Sequence, residues 1–193
     1  TSTKRIDSLN IDFQLRGFIH AISDKKNFIP SGGEWQSSNV PKSINDKMGK
    51  LEPGLSLVID ESELIVFGGR FHGHKLLLIN NSSHKMSFMA QDSRLNIIAE
   101  ALDSTGAWKP IVHLPSSRCG NSYHNITLGK FEFWQFESPV FKGNFQTKLR
   151  YKLMFENDTI FSNEIKALLN HGQLDPERRM GFIPQSIMDP YTE

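Results

Sequence analysis

One stretch of the chain, residues 146–155, alternates strictly between two kinds of side chain. Successive side chains of a strand point to opposite faces, so this rhythm gives one apolar face and one basic face. It predicts a long antiparallel strand with one face on a core and the other in water. The apolar set is Thr147, Leu149, Tyr151, Leu153 and Phe155, and the opposite set contains Lys148, Arg150 and Lys152.

Other short segments with strand character follow one another along the chain, separated by turn residues. Residues 9–15 alternate between apolar and polar types, which predicts a first strand or an arm laid along the body. Residues 55–60 and 64–67 are expected to form a hairpin around Asp60-Glu61-Ser62. Residues 94–102 contain good helix formers, but the flanking strands favour a strand there too. About nine strands at short spacing predict an all-β, antiparallel β-sandwich.

Three parts of the chain differ in composition. Residues 1–54 hold the first strand or arm and then a long polar loop, rich in Gly, Pro, Ser and Asn, which is expected to pack on the body. Residues 55–169 carry the dense strand pattern and form the expected sandwich domain. Residues 170–193 contain prolines at intervals and are expected to form an extended, irregular tail.

Charge and cysteine content narrow the function classes. The 193 residues include 22 basic and 21 acidic side chains. A nucleic-acid-binding domain is expected to be clearly basic, so no nucleic-acid partner is predicted. One cysteine allows no intrachain disulfide. No apolar run approaches the roughly 18 residues that span a bilayer, so no transmembrane segment is predicted. The chain begins at Thr1, which we interpret as the result of signal-peptide removal, and an extracellular, periplasmic or cell-envelope location is expected.

Histidines offer a candidate metal site. Five of the seven fall within about fifty residues, and His72 and His74 point to the same side of a strand. Two imidazoles at that spacing can ligate a divalent transition metal, and His113 is the candidate third ligand. The alternative is that His72 and His74 are ordinary residues of a solvent-facing surface. No other cofactor is expected.

Aromatic side chains offer a candidate ligand surface. Trp35, Trp108 and Tyr123 have flat rings that can stack on sugars, and His124 adjoins Tyr123. Trp35 alternatively pins the polar loop to the body. Trp108 is the better candidate, because Pro110 beside it indicates an edge strand. The expected partner is a glycan or a protein, and the oligomeric state is left open.

The basic face of residues 146–155 has two interpretations. Lysines on an exposed strand face commonly remain solvated and discourage pairing between sheet edges. Binding of a polyanion to Lys148, Arg150 and Lys152 is the alternative.

The region from Trp134 to Ile165 resembles the closing hairpin of immunoglobulin-like and fibronectin type III-like domains. In those domains a Pro and Gly corner leads into an alternating strand, and the last strand carries a Ser-Asn-Glu type of ending. The matching positions are Pro139, Gly143-Asn144-Phe145 and Ser162-Asn163-Glu164-Ile165. The resemblance implies a Greek-key sandwich and no particular activity, since such scaffolds host many functions. Phe145 departs from the pattern, because it lacks the hydroxyl of the usual corner tyrosine.

Two functions follow as hypotheses. The first is a non-enzymatic extracellular or cell-envelope module that binds a partner, such as a glycan, or acts as a scaffold. The second is a metal-dependent or carbohydrate-active enzyme that uses His72 and His74 on the same fold. A concave pocket holding both histidines and a third ligand would favour the enzyme. A flat face with Trp108 exposed would favour glycan binding.

Overall fold

The computed structural model describes residues 6–24, 37–117 and 119–178, and these form an all-β fold of several antiparallel sheets, as the sequence predicts. The strands are β1 (Leu15–Arg16), β2 (Lys42–Ser43), β3 (Gly54–Phe67), β4 (Phe71–Asn81), β5 (Met86–Gln91), β6 (Arg94–Leu95), β7 (Ile97–Leu102), β8 (Trp108–Pro110), β9 (Val112–His113), β10 (Tyr123–Leu128), β11 (Glu132–Pro139), β12 (Phe145–Phe155), β13 (Asp158–Phe161) and β14 (Ile165–Leu169). Short 3₁₀ turns occur at Asp46–Met48, Gly120–Ser122 and His171–Leu174. In the part of the chain that the structure describes, no helix has the length and apolar character needed to cross a membrane.

Three antiparallel sheets make up most of the fold. The back sheet has the strand order β2-β11-β4-β3. The front sheet has the order β13-β12-β7-β8, and β14 pairs with β12 beside β13. The side sheet has the order β10-β5-β6, and a short parallel pair joins β1 to β9.

The inner faces of these sheets share one hydrophobic core. Trp134 of the back sheet is fully buried and meets Phe88 of the side sheet edge to face, with ring centroids 5.9 Å apart. The front sheet contributes fully buried residues at alternate positions. They are Ile97, Ala99 and Ala101 from β7 and Leu149, Tyr151 and Leu153 from β12. The strand predicted at 146–155 is therefore confirmed, with its apolar face inward.

The hairpin predicted around Asp60-Glu61-Ser62 is wrong. Strand β3 runs through these residues, with an irregularity in its pairing to β4 between Asp60 and Ile65. Because β3 lies at the edge of the back sheet, its polar residues face water without ending the strand.

One edge position of β3 is covered by a side chain. The Asn163 amide accepts a hydrogen bond from the Ile59 N–H at 2.7 Å and donates one to the Ile59 carbonyl at 3.0 Å. The amide thus takes the place of a neighbouring strand's peptide group and joins the front and back sheets at their margin.

The N-terminal arm is held by the start of the tail. Leu9, Ile11 and Leu15 are buried, and Asp12 accepts a hydrogen bond from the Gly172 N–H at 2.7 Å and pairs with Arg178. A Cβ on Gly172 would lie 2.3 Å from the Asp12 carbonyl oxygen, so only glycine permits this approach. Near the start of the tail, His171–Leu174 form a 3₁₀ turn. Residues 25–36, with Trp35, and residues 179–193 lie outside the described residues.

Candidate functional site

The three predicted metal ligands do not form a common group. His72 and His74 lie on β4 of the back sheet, whereas His113 lies on β9 and pairs with Arg16 of β1. Within the described part of the chain, no three His, Cys, Asp or Glu side chains are placed to hold a metal ion. The geometry therefore gives no support for a metal at this place.

His74 occupies an unexpected position. It shares a strand face with Leu76 and Leu78, both fully buried, and lines a cavity of about 390 Å³. Its Nδ1 is buried and has no hydrogen-bond partner among the described residues. His74 thus lies toward the interior, whereas the sequence interpretations placed it in a metal site or on a solvent-facing surface.

The residues predicted to form a ligand surface lie in different sheets and on different sheet faces. Tyr123 and His124 are neighbours on β10, so their side chains point to opposite sides of the side sheet. Tyr123 is exposed, while both ring nitrogens of His124 are buried and unpartnered within the described chain. Trp108 lies in the front sheet on β8, which is an edge strand, as predicted. Tyr123 and His124 thus present their side chains to different sides of the side sheet, and Trp108 stands in another sheet.

Trp108 belongs to a stack on the outer face of the front sheet. The Arg150 guanidinium carbon lies 4.0 Å from the Trp108 ring centroid and 4.1 Å from that of Phe161. Such separations allow a cation–π contact with each ring. We call Trp108, Arg150 and Phe161 the arginine stack.

Sheet register assembles the arginine stack from three strands. Trp108 pairs with Leu102 on β7, Arg150 pairs with Glu100 on β7, and Phe161 pairs with Lys152 on β12. Alternation along β12 turns Arg150 outward, because Leu149 and Tyr151 on either side enter the core.

The Glu100 carboxylate holds the Arg150 guanidinium in position. One of its carboxylate oxygens accepts hydrogen bonds from Arg150 Nε at 3.1 Å and Nη2 at 2.9 Å, and the other lies 2.6 Å from Lys152 Nζ. Its side chain is only 5% exposed, whereas those of Arg150 and Lys152 are 19% and 25% exposed. With three charged groups joined in this way, the guanidinium plane is held between the two rings.

Two hydrogen-bond donors of the stack have no acceptor in the described part of the chain. Among the described residues, neither Trp108 Nε1 nor Arg150 Nη1 has a hydrogen-bond partner, and neither atom is buried. Phe161 is 47% exposed. The arginine stack therefore presents aromatic surface and unused donors to the solvent side by side, which is what a polar ligand with an apolar ring face requires.

Basic side chains surround the stack. Lys148 lies two residues before Arg150 on the same face and pairs with exposed Glu164 at 2.8 Å. Lys166 lies directly opposite Lys148 on β14, although like charges in that position repel each other. The outer face thus carries four basic side chains and two acidic ones, which favours an acidic ligand.

The sequence reveals only part of this site. Trp108 and the basic residues of β12 are apparent from strand patterns, but Phe161 and Glu100 are not. Glu100 is a single acid in the otherwise apolar run 97–102, and that interruption is the one local signal of its role.

No protein-family model matches the chain, and a search of curated proteins finds no match either.

Proposed function

We propose that the protein is a non-enzymatic binding module of the cell exterior or envelope, and that the outer face of its front sheet binds a glycan. The observation that carries the proposal is the arginine stack, where Arg150 packs against the Trp108 and Phe161 rings at a solvent-facing surface and restricts their movement. Rigid aromatic rings bind at low entropic cost, because little freedom is left to lose. The excess of basic side chains makes an acidic glycan the favoured ligand.

We further propose an immunoglobulin-like Greek-key sandwich as the architecture. Its support is the common core of the antiparallel sheets and the corner between β11 and β12. A Cβ on Gly143 in that corner would lie 2.1 Å from the Leu169 carbonyl group, so the glycine is required there. Phe145, which replaces the corner tyrosine of such domains, instead places its ring 4.8 Å from the His171 ring.

Affinity electrophoresis tests glycan binding. The full chain is run through native gels that contain either a neutral polysaccharide, dextran, or an acidic one, polygalacturonate. We expect the acidic gel to retard the protein, and added salt to reduce the effect by screening. Trp108→Ala and Phe161→Ala are each expected to weaken binding about tenfold, which corresponds to roughly 1.4 kcal/mol.

Phe131→Ala is the matched control. Phe131 is 48% exposed, similar to Phe161, but lies outside the front sheet in the turn before β11. Its substitution is expected to leave retardation unchanged. Equal losses in all three variants, or no retardation by either polysaccharide, would refute the proposal.

A further inference from the structure

We propose a second binding site, for a small organic anion with an apolar body, in the cavity between the side sheet and the end of β12. This site is independent of the arginine stack. The cavity has a volume of about 400 Å³, within the range of small-molecule pockets. Its lining includes Met89, Arg94, Leu114, Tyr123, Met154 and Phe155.

The walls of the cavity are largely apolar. Leu114 and Phe155 are partly buried residues packed against the core. Met89 and Tyr123 are 67% and 41% exposed, so large apolar surface remains open to solvent at this position. Exposed apolar surface beside a concavity is typical of a ligand site.

Arg94 supplies the positive charge that would bind the anionic group of the ligand. Its Nη2 donates to the Gln91 side-chain oxygen at 3.0 Å and to the Pro115 carbonyl at 2.7 Å, and both acceptors are neutral. Within residues 6–24, 37–117 and 119–178, no carboxylate forms an ion pair with this guanidinium, and Asp92 acts on it only through its charge. A partly buried arginine normally has an acidic partner, because taking its charge out of water is costly.

The remaining donors of Arg94 are available to a ligand. Nε and Nη1 have no acceptor among the described residues, yet neither atom is buried. The side chain itself is fixed, since a Cβ on Gly17 would lie 2.9 Å from its Cδ and the backbone of the arm passes that close. Burial also lowers the pKa of Arg94, and a bound anion would offset that effect.

The acidic residue in the cavity lining leaves room for the charge of a ligand. Glu156 also lines the cavity, at the turn after β12, and is exposed to water. Glu156 is not among the groups whose charge acts on Arg94. Asp92, two residues before Arg94, raises the pKa of the arginine by its charge but forms no ion pair with it. A ligand carboxylate can therefore bind the free donors of Arg94, with Met154 and Phe155 against its apolar part.

Methionine-methyl NMR of the full chain tests the site. The probes are 2-naphthoate and its neutral analogue 2-naphthamide, which has nearly the same shape. We expect 2-naphthoate to shift the Met89 and Met154 methyl signals saturably, while Met48, outside the cavity, stays unchanged. The amide should bind at least about tenfold more weakly, because only the acid can form charge-assisted hydrogen bonds with Arg94.

Two variants test whether the preference for the acid over the amide depends on Arg94. Arg94→Gln should bring the affinities of acid and amide to within about twofold, whereas Arg70→Gln, the same charge change at an exposed site, should keep the preference. Equal binding of acid and amide by the wild-type protein would overturn the proposal, and this comparison holds even if Arg94→Gln fails to fold. Absence of a saturable shift at Met89 and Met154 up to millimolar probe would also overturn it.

Discussion

The Tyr151 hydroxyl donates a hydrogen bond of 2.9 Å to the Ser138 hydroxyl, and both residues have no exposed surface. Tyr151 belongs to β12 of the front sheet and Ser138 to β11 of the back sheet, so this bond crosses the core. It fixes how the two sheets lie against each other at a point surrounded by apolar side chains. Burial raises the pKa of Tyr151, so the phenol stays neutral and able to donate.

Tyr151→Phe is expected to lower the free energy of unfolding by about 1–3 kcal/mol, because the buried Ser138 hydroxyl loses its partner. Ser138→Ala should cost a similar amount for the reciprocal reason. The double variant should cost clearly less than the sum, since no orphaned hydroxyl remains. Urea denaturation of the four proteins measures this, and strictly additive losses would show that the bond contributes nothing.

Glu100→Gln is expected to destabilise the protein by about 1–3 kcal/mol, because Arg150 and Lys152 would both lose their charged partner. The matched control is Glu164→Gln, which breaks the exposed pair with Lys148 and should cost about 0–1 kcal/mol. Urea denaturation compares the two variants. Equal effects would mean that burial of Glu100 does not strengthen its ion pairs.

Because of the His20 imidazole, the folded protein is expected to lose stability at acidic pH. Burial lowers its pKa, with a smaller lowering by Arg94 and Arg16 and an opposing effect of its backbone hydrogen bond with Phe18. The folded-state pKa lies below the unfolded value of about 6.5, so the stabilisation is present above pH 6.5 and is lost as the pH falls through the folded-state value. The slope is at most ~1.4 kcal/mol per pH unit.

Denaturation curves between pH 4 and 8 test this sensitivity. His20→Gln should show a flatter fall of the unfolding free energy below pH 6.5 than the wild-type protein. His84→Gln, a change at an exposed histidine, should follow the wild-type curve. Parallel curves for all three proteins would show that His20 is protonated equally in both states.

Asn163→Ala is expected to expose the Ile59 peptide group at the edge of β3 and to promote self-association. Unpaired edge groups can pair with another chain, and here an amide side chain occupies them. Light scattering at rising protein concentration should show association of the variant below the concentration at which the wild-type protein associates. Asn157→Ala, in an exposed turn, is the control, and identical scattering by both variants would contradict the expectation.

Strands whose two faces differ could be predicted from sequence. The front-sheet strand β12 has a core face and a water face, so its alternation is complete and its position was predicted. For β7, which lies within the segment 94–102, the flanking strands favour a strand over the helix that its composition allows. At the edge strand β3, polar residues at 60–63 look like a turn in sequence, because nothing apolar is needed on a strand face that meets water.

The candidate sites depend on register and were only partly predictable. Trp108, Arg150 and Phe161 are about fifty residues apart in total, and they meet only because β8, β7, β12 and β13 are neighbours in one sheet. In the sequence, no local pattern marks Arg94 as a ligand-binding residue. Its significance comes from the cavity that the ends of two sheets leave beside it, which no local pattern encodes.

The contacts of Asp12 with Gly172 and Arg178 join two segments that lie 160 residues apart in sequence. If either segment opens, the other loses its polar partners at the same time. The N-terminal arm and residues 170–178 are therefore expected to open together, as one cooperative unit, and to exchange their amide hydrogens at similar rates.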